Sequence, residues 1–72
     1  MADFSSPAAR QTVITLIEEF NALESYIAKA PNSAVRRRRS EVLDELQDLV
    51  GLGGKMVMEQ DIIKRARSVI GQ

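Results

Sequence analysis

Four consecutive arginines at residues 36–39 are the side chains of this sequence best suited to chemistry. Guanidinium groups bind phosphate, and several of them near a helix start can follow a nucleic-acid backbone. Carboxylates occupy the next two helical turns and could instead pair with the arginines. They are Glu41, Asp44, Glu45 and Asp48. The run therefore predicts either a phosphate-binding surface or a charge-paired face that stabilises the protein.

Catalysis is not expected from this sequence. The chain contains no cysteine and no histidine, and its serines and lysines occur at no spacing typical of a nucleophile with its base. A cysteine- and histidine-based zinc site is excluded for the same reason, and we expect no cofactor, metal or small-molecule substrate. The segment "GLGGK" at residues 51–55 lacks the full spacing and the following hydroxyl of a phosphate-binding loop, so it is interpreted as a hinge.

Composition predicts a small folded domain spanning residues 1–72. The chain is 44% hydrophobic and 28% charged with a formal net charge of zero, which counts against strong nonspecific nucleic-acid binding. A domain of this size has a marginal core, and without disulfides the expected source of extra stability is a homodimer. The sequence shows neither a secretory leader nor a long apolar run, so we expect a cytoplasmic protein without membrane contact.

The hydrophobic pattern predicts an all-α fold. Ser6 followed by Pro7 is typical of a helix start, with the serine side chain as the cap, and the apolar stripe continues until Pro31. The first helix is therefore expected over about residues 7–29. Asn32 or Ser33 can cap the next helix.

The second helix is expected over about residues 33–50, followed by a glycine hinge at 51–54 and a third helix over about 56–70. Met56 and Met58 are interpreted as core residues. A short turn makes the first two helices an antiparallel hairpin, and two such hairpins would pair into a four-helix bundle.

Helical geometry separates the four arginines. Arg39 falls within the apolar stripe of the second helix, at the level of Glu24 in the first, which predicts an ion pair in the hairpin seam. Arg37 is expected to point to solvent, and Arg36 and Arg38 to lie on the flanks of the stripe.

Dimerisation would use the same charges between copies. If two second helices cross antiparallel near Val42, the arginines of one copy meet Glu45 and Asp48 of the other. Ile14 and Tyr26 lie outside the main stripe of the first helix and offer further dimer surface. The third helix could alternatively fold its basic residues over an acidic end of the hairpin. The basic residues are Lys64, Arg65 and Arg67, and the acidic end comprises Glu18, Glu19, Asp44 and Asp48.

The segment "SYIAKAPNSAVRRRR" at residues 25–39, about a fifth of the chain, resembles the turn region of the small nodavirus RNA-silencing suppressors. "RQTV" at residues 10–13 is similar to a weaker degree. Members of that family are short helical hairpins that dimerise into a four-helix bundle lying along double-stranded RNA. The resemblance implies sequence-independent duplex RNA binding that shields viral RNA in the host cell cytoplasm. Arg36 and Arg37 match the family by position.

The sequence departs from that family along the second helix, where the family has basic residues and this chain has acids. A-form RNA is recognised through its shape, phosphates and 2′-hydroxyls, so RNA binding would concentrate at the arginine end, including Arg38, and on the third helix. The third-helix residues are Lys64, Arg65 and Arg67. The alternative function is a small protein-binding module, such as a phage or bacterial regulator or an assembly adaptor. It would use the apolar surface around Ile14 and Tyr26, with the arginine run serving dimerisation or docking.

Overall fold

Residues 6–71 are described by a computed structural model, and they form an all-α fold. The three helices are α1 (Pro7–Lys29), α2 (Ser33–Leu49) and α3 (Glu59–Val69). Helix α1 covers the predicted range, and α2 ends one residue before its predicted end. Helix α3 begins three residues later than predicted and ends one residue earlier. The expected domain also includes residues 1–5 and 72, which lie outside the described residues.

The two hairpin helices begin differently. The side chain of Ser6 makes no capping hydrogen bond, which corrects the prediction, and Pro7 reduces the need for one because it has no backbone N–H to satisfy. The Arg10 N–H closes the first turn on the carbonyl of Ser6 at 3.1 Å. At α2, Oδ1 of Asn32 accepts from the backbone N–H groups of Ala34 at 2.8 Å and Val35 at 3.4 Å. Asn32 is therefore the cap of α2.

Contacts at its two ends show how α3 lies on the hairpin. Glu59, its first residue, contacts Arg39 in the second turn of α2. At the other end, the carbonyl of Ile70 accepts a hydrogen bond of 2.9 Å from the guanidinium of Arg10 in the first turn of α1. Helix α3 therefore runs antiparallel to α1 and in the same direction as α2.

Because α2 and α3 run in the same direction, the linker at residues 50–58 must return along the hairpin. Its first half is a tight turn in which Gly51 and Gly54 adopt left-handed backbone conformations, with φ of 82° and 76°. The side-chain amide of Gln47 donates to the carbonyls of Leu52 at 2.9 Å and Lys55 at 2.8 Å. The predicted hinge is thus a turn fastened to α2.

Buried side chains from all three helices and from the start of the linker form one core. The buried residues are Val13, Leu16, Ile17, Phe20, Val42, Leu43, Leu46, Val50, Ile62, Ala66 and Ile70. None of the described helices is long and apolar enough to cross a membrane.

Two interpretations of apolar residues need correction. Val42 is 0% exposed within the chain's own core, so it offers no surface to a second copy and does not belong to a dimer interface. Met56 is fully exposed and Met58 is 64% exposed, so neither is a core residue. Between them, Val57 packs against the core, because neighbouring side chains of an extended segment point to opposite sides. Ile14 is half-buried against the core and offers little surface of its own.

Candidate functional site

Arg38 is held by carboxylates of its own chain. Its Nε donates to Glu19 Oε2 at 2.7 Å and its Nη2 to Glu19 Oε1 at 2.9 Å, the two-pronged geometry that favours an arginine–carboxylate pair. Glu41 and Glu45 lie 3.7 and 3.6 Å from its Nη1. The hydrogen bonds from Arg38 lower the pKa of the Glu19 carboxyl, and the same bonds raise the pKa of Arg38. The charge of Arg38 is therefore compensated within the chain, which weakens the expectation that Arg38 contacts RNA.

Arg39 connects all three helices. Its Nε donates to Glu24 of α1, which confirms the predicted ion pair. Its Nη1 and Nη2 donate to Glu59 of α3 at 3.2 and 2.5 Å. The guanidinium carbon also lies 4.9 Å from the centre of the Phe20 ring, within the range of a cation–π interaction. The side chain is only 24% exposed, so Arg39 is a structural residue.

Hydrogen bonding also shifts the pKa values of the Arg39 cluster. Donation to Glu59 raises the pKa of the Arg39 guanidinium, with a smaller contribution from Glu24, and burial opposes both. The same donation lowers the pKa of the Glu59 carboxyl. The charges of Arg39 and Glu59 therefore stabilise each other.

Arg36 and Arg37 differ from the two arginines that follow them. Both are exposed, and within residues 6–71 neither has a carboxylate at ion-pair distance. Arg36 borders an open cleft that is also lined by Ile27 and Ser40. Lys29, exposed in the last turn of α1, adds a positive charge on the other side of the same turn. We call Lys29, Arg36 and Arg37 the turn patch.

The basic residues of α3 do not join the turn patch. Lys64, Arg65 and Arg67 are exposed, and Glu59 of the same helix lies at the level of Arg39. At a rise of 1.5 Å per residue, the backbone positions of these three residues lie about 12–17 Å from that of Arg36, measured along the helix axes. The structure therefore provides two separate basic regions on each chain.

The third helix does not fold over the acidic end of the hairpin through its basic residues. Among the described residues, the ion pairs are those of Arg38 and Arg39, and none involves Lys64, Arg65 or Arg67. Helix α3 is instead attached through Glu59 and through the carbonyl of Ile70. Arg10, which binds that carbonyl, is a structural residue that the sequence reasoning missed. No periodicity points to it, because the contact joins residues at opposite ends of the chain.

The remaining residues expected at a dimer interface lie on the surface. Tyr26 is 53% exposed, and Asp48 is exposed on α2. Glu45 is exposed as well, and it lies near Arg38 of its own chain. With Val42 buried, these residues alone do not define a continuous apolar interface.

No family model, curated protein or solved structure matches the chain. The class that fold and site define is an all-α protein of three helices with an exposed basic turn.

Proposed function

We propose that this chain is a non-enzymatic protein that binds double-stranded RNA through the turn patch, with Arg36 and Arg37 as its main phosphate contacts. The observation that carries the proposal is that these two exposed guanidiniums have no carboxylate partner among the described residues, whereas Arg38 and Arg39 do. A free surface guanidinium can replace the counterions of a phosphate backbone without first breaking an internal pair.

Duplex RNA is favoured over other phosphate-bearing partners by two features. The turn segment resembles the nodavirus silencing suppressors, in which a helical hairpin lies along duplex RNA. Close to the turn patch, Tyr26 is the single exposed aromatic side chain among the described residues, and one ring is too few to stack successive unpaired bases, so the contacts of the patch suit phosphates and 2′-hydroxyls. Shielding of viral duplex RNA in the host cytoplasm is the corresponding biological role.

The acids of α2 limit the binding surface. Glu41, Asp44, Glu45 and Asp48 are all exposed and would repel phosphates placed along the middle of that helix. RNA therefore approaches the turn end of the hairpin, and the basic residues of α3 form a second contact region. With few phosphate contacts per copy, we expect weak binding that falls as salt rises, with a slope of log K against log salt of about one for each phosphate contact.

The test is fluorescence anisotropy with duplex RNA of about 20 base pairs, duplex DNA and single-stranded RNA across a salt series. We expect binding to duplex RNA, and we expect R37Q to weaken it and to reduce the salt slope by about 1. R38Q is the matched control, because it removes the same formal charge at the neighbouring position but from a side chain that Glu19 already neutralises.

Either of two results would contradict the proposal. One is the absence of duplex RNA binding at low salt. The other is an equal loss of binding in R37Q and R38Q, with circular dichroism showing both variants folded, because the effect would then be one of net charge and not of the turn patch.

Protein binding is the second candidate function, and the exposed large apolar side chains favour it. Tyr26, Met56 and Met58 are each more than half exposed, and methionine is common on surfaces that adapt to several partners. A protein-binding module, such as a regulator or an assembly adaptor, is the function that remains if no nucleic acid binds in the salt series.

A further inference from the structure

Helix α3 packs against the hairpin, and the residues that bind its two ends lie on α1 and α2. We call the surface of α1 and α2 that α3 covers its seat. The buried side chains that α3 and the residue after it contribute to the core are Ile62, Ala66 and Ile70. At the two ends of the seat, Arg39 binds Glu59 and Arg10 binds the carbonyl of Ile70. The α3 of a second copy has the same sequence. It would therefore make the same contacts if it lay in this seat.

The linker is long enough to deliver α3 to another molecule. Residues 50–58 return along α2 to the level of Arg39, a distance of about 15 Å at the helical rise per residue. Fully extended, these nine residues would reach about 30 Å. The excess length is taken up by the turn around Gly51 and Gly54, which is fastened by the two hydrogen bonds from Gln47.

The exposed methionines indicate where a second copy would add contacts. Residues 56–58 lie outside the helices, with Met58 in an extended conformation, Val57 packed against the core and Met56 and Met58 exposed. If two linkers cross at a two-fold axis, each places its methionines against the equivalent segment of the other. The crossing therefore covers apolar side chains that a single chain leaves in water.

We propose that two copies of this chain exchange α3, so that each α3 occupies the seat of the other copy. In this dimer, Glu59 of each copy pairs with Arg39 of its partner, and the two linkers meet at the two-fold axis. The contacts of α3 with α1 and α2 are the same in the exchanged and closed forms, whereas the contacts of the linker, including that of Val57 with the core, differ. The balance between the two forms is therefore set by concentration, by the closed turn and by the new linker contacts. This proposal does not depend on RNA binding.

Charge reversal tests the exchange directly. In R39E, all three members of the cluster, at positions 24, 39 and 59, carry a carboxylate. In E59R, positions 39 and 59 both carry a guanidinium beside the carboxylate of Glu24. Each variant alone therefore has like charges in contact at the start of α3. In an exchanged heterodimer of the two variants, one seat has the native residues. The other has one arginine and two glutamates, which is the native charge composition.

The two variants are unfolded in urea, mixed in equal amounts, refolded together and examined by native mass spectrometry and thermal melting. We expect a one-to-one heterodimer whose melting temperature exceeds that of either variant refolded alone. If either variant fails to fold by itself, recovery of helical circular dichroism in the mixture reports the exchange. A mixture that behaves as the sum of its separate components refutes the proposal.

Glycine substitution gives a second test. G54A disfavours the closed turn, because alanine is strained at a φ of 76°, while the open space there leaves no clash to disturb the fold. G71A is the matched control, with a φ of 81° and equally open surroundings, but it follows α3 and lies outside the linker. We expect G54A to raise the dimer association constant at least about tenfold over G71A by analytical ultracentrifugation. Equal dimerisation of the two variants would contradict the role of the linker.

Discussion

The three-helix contact of Arg39 makes R39Q the most informative change for stability. The substitution removes the charge that binds Glu24 of α1 and Glu59 of α3, and it removes the cation over Phe20. Each ion pair has a carboxylate that is about half exposed, so each contributes about 0.2–1 kcal/mol. The contact with Phe20 adds about 0.5–1 kcal/mol. Together these give a loss of about 2 kcal/mol, a large fraction of the stability of a domain this small.

The loss is measured by urea unfolding followed by far-ultraviolet circular dichroism at a fixed protein concentration. We expect the midpoint to fall with little change in slope, and the melting temperature to fall by about 8–16 °C. The difference from the wild type should shrink in 1 M salt, where screening weakens the ion pairs but leaves the packing on Phe20.

R36Q is the control for R39Q. It removes the same charge from an exposed residue without an ion pair in the described part of the chain, so we expect its stability to remain within about 0.5 kcal/mol of the wild type. If R36Q and R39Q unfold at the same urea concentration, the arginine run does not divide into structural and free residues.

Two further changes test local features of the fold. N32A removes the side-chain oxygen that caps α2 and should lower the free energy of unfolding by about 1 kcal/mol in urea titrations, whereas an unchanged midpoint would show that the cap contributes nothing. Arginine partners lower the pKa values of Glu19 and Glu59 from 4.5, so their contribution to stability is present above that pH and is lost as the pH falls through the lowered values. Melting temperatures should therefore fall below about pH 4.5, and the fall should be shallower in E59Q.

The hairpin could be predicted because its signals are local. Pro7, Asn32 and an apolar stripe of helical period act within a few residues of the helix ends they determine. The start of α3 could not be located in this way. Met56, Val57 and Met58 are consistent with either a buried helical turn or an extended segment, and three residues are too few to distinguish the two periods. Packing of Val57 on the core decides between them.

The ion pairs also divide into those that local helix geometry predicts and those that depend on the path of the chain between helices. Arg39 and Glu24 lie at equal distances from the turn, so helix geometry alone brings them together. Glu19, the partner of Arg38, lies about 9 Å along α1 from the position directly opposite Arg38 in the hairpin. The two side chains are long enough to bridge that distance. Glu59 reaches Arg39 only because the linker returns along the hairpin, and no periodic pattern encodes the path of a linker.

The division of the arginine run also separates the two proposals made for this chain. Phosphate binding requires Arg36 and Arg37, which take no part in holding α3, and exchange of α3 requires Arg39, whose charge is already compensated by two carboxylates. A chain that exchanges α3 without binding RNA, or binds RNA as a monomer, would therefore disprove one proposal and leave the other standing. If both hold, the dimer carries two turn patches, and its salt dependence should be steeper than that of the monomer because more counterions are released.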